Sequence, residues 1–131
     1  MAKRIILAVV VVFIAWSILD FILHGLLLRS VYETTSNMWR PMNQMNIPLM
    51  YFVTLVFTTC FVLIYGLLVG QKSLTSGMRF GALFGLATGI SMGFGSYVYM
   101  PIPLTLALSW FFGSWIEAIA AGAIVGAIVK S

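Results

Sequence analysis

Four stretches of this chain, 5–28, 49–69, 80–100 and 104–129, are almost continuously apolar. Each reaches the roughly 20 residues that one crossing of a bilayer's hydrocarbon core requires. Only Asp20, His24 and Glu117 interrupt them. An ionised side chain at the centre of a span costs roughly 2.5–3.5 kcal/mol even on the gentlest scale, so groups that expensive need a reason to be there. With 62% hydrophobic and 8% charged residues, the chain also lacks the polar surface that a soluble globule needs. The expected fold is all-α: one integral membrane domain over 1–131, built as a bundle of four transmembrane helices.

The loops carry the orientation signal. Lys3, Arg4, Lys72, Arg79 and Lys130 fall on one side and Arg29 and Arg40 on the other. By the positive-inside rule this predicts two cytoplasmic termini in a bacterial-type inner membrane, with 29–48 outside. Tyr32, Trp39, Tyr51, Tyr97 and Tyr99 then gather near the outer interface as an aromatic belt. The first run follows Lys3 and Arg4 but is too long for a signal-peptide core and lacks a small-x-small cleavage site before Asp20, so it is expected to be retained. The basic residues are scattered singly and form no nucleic-acid patch. The single cysteine, Cys60, excludes an intrachain disulfide or a cysteine-based zinc site.

The outer segment 29–48 has its own pattern. Ser30 and Glu33 fit the S-x-x-E capping box, and Val31, Thr35, Met38, Met42 and Met45 recur at helical spacing. A short interfacial helix is expected there, broken or kinked at Pro41 before re-entry at Pro48. Residues 70–79 read as a polar turn. The Met100-Pro101-Ile102-Pro103 link is so short that the last two spans must be antiparallel neighbours.

Gly77, Gly81, Gly85, Gly89 and Gly93 recur every four residues and leave one ridge of the third span without side chains. The fourth span carries a matching row of Ser114, Ala118, Gly122 and Gly126, and the simplest structure docks the two rows together. The ridge could instead face another protomer, or leave room for a flat ligand such as a quinone or carotenoid.

Ser17, Asp20 and His24 stand at i, i+3 and i+7, on one face of the first helix with Trp16 beside them. Trp110, Ser114 and Glu117 make a corresponding face on the fourth, and Tyr51, Thr54 and Thr58 on the second. At 1.5 Å per residue, Asp20 lies roughly 12 Å and Glu117 roughly 20 Å from the outer ends of their helices. Two helices in contact would therefore bring them within about two turns. The functional reading is a proton or cation path from His24 through Asp20 toward Glu117, with Ser17 and Ser114 alongside. The structural reading is a satisfied cluster in which Asp20 pairs with His24 or Arg29, and Glu117 donates to a backbone carbonyl or to Tyr65.

His24 with Met38, Met42 and Met45 is also the soft donor set that suits Cu(I) on the outer face. Phosphate loops, HExxH and CxxC are absent, so no enzymatic chemistry is expected, and the sequence leaves any cofactor unknown. Three classes remain: a small proton- or cation-handling carrier or channel, or its subunit; a non-catalytic accessory subunit of a larger membrane complex; and an outer-face Cu(I)-binding protein. So small a bundle has little interior of its own, so a homo-oligomer or a heteromeric complex in the lipid bilayer is the expected state.

Overall fold

A computed structural model describes residues 1–130, and among these the chain is helical without strands. Four helices are long and apolar enough to cross a membrane: α1 (Ala2–Leu27), α3 (Ile47–Leu68), α4 (Leu74–Tyr99) and α5 (Leu104–Ile128). A short helix, α2 (Arg29–Thr34), follows α1. The connection 28–46 and the 100–103 turn lie at one end of the bundle, here the connection side. The N-terminus, the 69–73 turn and residue 130 lie at the other, the terminal side.

Local chemistry sets the helix ends. Asn46 caps α3, its side-chain oxygen accepting from the Leu49 N–H at 3.1 Å, and Pro48 sits in the first turn, where a missing N–H costs nothing. Ser73 caps α4 through the Ser76 N–H at 3.1 Å. That cap starts the third span six residues earlier than hydropathy alone places it, so the expected polar turn over 70–79 shortens to 69–73. Met100, held extended before Pro101, ends α4, and Pro103 opens α5.

The closest helix pair is α4 on α5. A Cβ placed on Gly77 would collide with the carbonyl oxygen of Gly122, and one on Gly81 with that of Ala118. Gly89 and Gly93 likewise face the Phe111 and Ala107 carbonyls, at 2.9 and 2.5 Å from such an atom. The glycine row is thus an intrachain seam along which two backbones touch, which lets dispersion and close dipole contact replace the hydrophobic drive that lipid removes. Beside the seam, α3 meets α4 through rings: Phe61 meets Phe80 at a tilt and Phe84 edge-on, at centroid distances of 4.7 and 5.0 Å, and Phe57 meets Phe84 at 5.6 Å. Between these, α1 packs its small face, Ala8 and Val12, into the core with Phe61, Val62, Tyr65, Val125 and Val129.

The connection departs from the expected interfacial helix. After α2 the chain makes single 3-10 turns at Ser36–Met38 and Met42–Gln44, with Pro41 extended between them, so the methionines do not line one helical face. Ser30 caps nothing; Leu28 is the N-cap, and Glu33 accepts from Arg29 Nε at 3.2 Å. An i,i+4 ion pair has taken the carboxylate that a capping box would use. The segment folds back over α5, where Val31, Tyr32, Met38 and Trp39 cover Leu28, Ile102, Leu106 and Trp110.

The seam makes a direct prediction. Gly81→Leu sets a side chain against the Ala118 backbone, which cannot yield, and overpacking of this kind costs about 1–3 kcal/mol or more. Gly70→Ala meets nothing within 4 Å and should leave the protein unchanged or slightly more stable. Thermal unfolding in detergent should separate the two, and a Gly81→Leu protein as stable as the parent would refute the seam.

Candidate functional site

The polar face of α1 lies where its helix changes pitch. From Phe21 to Leu27 the backbone widens to π geometry, with Leu28 N–H bonding Leu23 C=O at 2.8 Å, five residues back. Such insertions recur at functional sites because they re-aim side chains that a regular helix would hold elsewhere. Asp20 stands just before the change and His24 within it, with His24 Nε2 4.0 Å from Asp20 Oδ1. The other ring nitrogen, Nδ1, is 2.7 Å from the Tyr32 hydroxyl, and the Trp110 indole N–H donates to that same hydroxyl at 2.7 Å.

Donor counting fixes the roles. Trp110 can only donate, so Tyr32 accepts from it and keeps its own proton to give to Nδ1. The neutral imidazole then carries its hydrogen on Nε2, the nitrogen that faces Asp20. Burial pushes the Tyr32 phenol above its usual range and outweighs the opposing pull of the Trp110 bond. The Tyr32 hydroxyl therefore keeps its proton at neutral pH.

On α5, Glu117 meets α1 twice. Its backbone carbonyl accepts from the Trp16 indole N–H at 2.8 Å, a bond that sets the level at which the two helices meet. Its carboxyl lies in hydrogen-bonding contact with Asp20. Two bare carboxylates offer each other only acceptors, so a hydrogen bond between them requires one proton. A proton shared in this way lowers the cost of placing two acids at membrane depth. The result is one track, Glu117, Asp20, His24, Tyr32, Trp110, from mid-span to the connection. Below it the interior is apolar: Ala8, Val12, Phe61, Val62 and Val125 are wholly buried toward the terminal side.

The remaining candidates take other places. Ser114 turns to α4, its hydroxyl 3.6 Å from Met92 Sδ, so the expected face Trp110–Ser114–Glu117 divides between two neighbours. The Ser17 hydroxyl is buried on the track side without a protein partner. Arg29 is taken by Glu33, and the Tyr65 hydroxyl donates to the Ser73 carbonyl at 3.0 Å, so neither makes the pairing expected with Asp20 or Glu117. Met38 packs in the apolar cluster under the connection, Met42 is 74% exposed and Met45 38%, while the His24 nitrogens face Tyr32 and Asp20. Among the described residues no group of three His, Cys, Asp or Glu could hold a metal ion.

Tyr32 is the member that sequence reasoning missed; it stood in the aromatic belt, eight residues from His24. Its one available signal is the short distance from the end of α1, which lets α2 fold back on the preceding turn.

In comparison with known proteins, the chain matches no family model, no curated protein and no solved structure.

Tyr32→Phe removes one oxygen that serves two partners, leaving Trp110 Nε1 and His24 Nδ1 unmet. The cost should be about 1–3 kcal/mol. Trp110→Phe combined with Tyr32→Phe should cost less than the sum of the single changes, because both remove the same bond. Additive losses in thermal unfolding would show that the hydroxyl does not couple the two.

Proposed function

We propose that this chain is a small proton-handling membrane carrier, or the proton-handling subunit of one, in which Asp20, His24 and Glu117 are the titrating groups. The observation that carries the reading is the carboxyl pair of Asp20 and Glu117, joined through His24 to Tyr32 at the connection side. Every member can give and take a proton, and all are brought together from three separate segments. A structural cluster of the same size could be built more cheaply from amides and hydroxyls. The apolar seal on the terminal side favours a carrier that opens alternately over an open pore. The five-to-two distribution of basic residues supports cytoplasmic termini and a track that opens to the outside, in a bacterial-type inner membrane.

A second reading, docking in a homo-oligomer or larger complex, draws on a different observation. The Asp20 and His24 side chains keep 43% and 37% of their surface exposed although they belong to a span. A polar flank open at membrane depth calls for cover by protein or water. Purification in mild detergent separates the readings: a stoichiometric complex with other chains favours an accessory role, and a self-contained oligomer favours the carrier.

Two measurements test the proposal. In a Cys60→Ala background, a membrane-impermeant thiol reagent should reach Ser36→Cys and not Gln71→Cys in intact cells; the reverse pattern overturns the orientation. In proteoliposomes, Asp20→Asn keeps the shape and hydrogen-bonding capacity of the side chain but cannot titrate. It should remain folded while proton flux is lost, with His24→Gln reducing flux as well. Absence of flux in the parent, with Asp20→Asn fully competent in cells, would end the transport reading.

A further inference from the structure

The hydroxyls of the spans divide into two kinds. Thr54, Thr59, Thr88 and Ser109 each donate to the carbonyl four residues back, at 3.1, 2.8, 2.9 and 2.7 Å, which is how a helix in lipid satisfies a hydroxyl at no expense. Ser17 and Thr58 have the same carbonyls within reach, yet their buried oxygens have no protein partner. Thr58 is wholly buried, and one oxygen of the Glu117 carboxyl is buried and unpartnered as well. An unmet polar atom in an apolar interior costs about 1–3 kcal/mol, so three together call for a common partner.

They come from three helices, and one layer of contacts ties those helices together. The Trp16 indole defines it: Trp16 precedes Ser17 in α1, bonds the Glu117 carbonyl of α5, and touches Phe57 and Phe61 of α3 at centroid distances of 5.4 and 5.1 Å, on either side of Thr58. The layer lies at the inner end of the track and directly above the apolar seal. A buried water needs two to four polar partners, and two hydroxyls with a carboxyl oxygen supply that number. The set is all oxygen and each hydroxyl can donate or accept, but three oxygens fall well short of the roughly six or more that a hard cation takes, so the set suits a water better than a cation.

We infer that Ser17, Thr58 and Glu117 build a buried water site, the innermost station of the proton track, where a proton waits against the seal. The inference rests on the carrier reading for what the water does and on the orphaned oxygens for its being there. Water here gives the unpaired Glu117 oxygen a donor, and offers the shared proton a route away from Asp20 toward the terminal side once the seal opens.

Infrared spectroscopy of the full chain in lipid nanodiscs tests the site without reference to transport. The carbonyl stretch of the protonated carboxyl pair, assigned by its loss in Glu117→Gln, should absorb at a hydrogen-bonded position. It should move to higher wavenumber in Thr58→Val and in Ser17→Ala, and return in Thr58→Ser. A parent band at the free-carbonyl position, unmoved by either substitution, would show a dry layer and overturn the inference. A band that shifts when sodium replaces choline in the buffer would overturn it in favour of a cation site. Ser17→Ala is the smaller change and carries the test if Thr58→Val fails to fold. A parent without proton flux but with the hydrogen-bonded band would remove the carrier reading and leave the water site standing.

Discussion

Backbone contact between α4 and α5 is the constraint on which the rest of this bundle depends. In lipid no hydrophobic force separates a helix from its surroundings, and association has to come from packing that lipid tails cannot match. The seam provides it through atoms that cannot move aside, with the Gly77 and Gly122 carbonyls facing each other's Cα positions and Ala118 set between Gly81 and Gly85. That rigid pair gives α5 a fixed rotation. Glu117 is turned away from the seam as a consequence, toward α1, and the Trp16 indole bonds to the Glu117 carbonyl on the face the seam leaves free.

The polar track is built on that frame with few donors. Trp16 and Trp110 each contribute one N–H that cannot accept, and both aim it at α1's polar neighbourhood, one at a carbonyl and one at Tyr32. Donor-only groups have a directional effect: by filling one lone pair of the phenol, Trp110 sends the phenol proton to His24 and selects the imidazole tautomer. At the acid end, a hydrogen bond between Asp20 and Glu117 requires one shared proton. The network is polar without being strongly charged, which is the form in which such groups survive at membrane depth.

The spans were legible from hydropathy alone because length and apolarity have only one stable outcome for a chain like this. The glycine row was legible too, since a period of four on a helix can mean only one face. The ambiguities came where a local pattern has two physical solutions. Glu33 can cap through Ser30 or pair with Arg29, and sequence does not rank them; the ion pair prevailed and the methionine periodicity downstream dissolved into 3-10 turns. The face shared by Trp110, Ser114 and Glu117 was real on a helical wheel, but it is wide enough to straddle α1 and α4, and Ser114 went to the seam side. Tyr32 was out of reach for a different reason. Its contact with His24 depends on the chain folding back immediately after a π turn, and nothing in residue spacing announces a change of helical pitch.

That change of pitch bears on how the site would work. A regular helix from Asp20 to Leu28 would bond each N–H four residues back, whereas Leu28 reaches five back to Leu23. A second π segment, Ser91–Gly95, lies at the connection end of α4, where Gly93 rests against the Ala107 carbonyl and Phe111. Of the four long helices, α1 and α4 therefore carry wide turns in the half that holds the track, while their other half is regular α-helix, closed by Phe61, Phe80 and Phe84. Wide turns are marginally bonded and can pass their extra residue along the helix at low cost; packed rings cannot shift without opening a void. A cycle that exposes Glu117 to each side in turn would find its compliant element next to Asp20 and His24, and its barrier in the aromatic seal. Protonation at the carboxyl pair and loosening of the π turn would then be coupled through Asp20, which stands at the boundary between the regular and the widened helix and touches both.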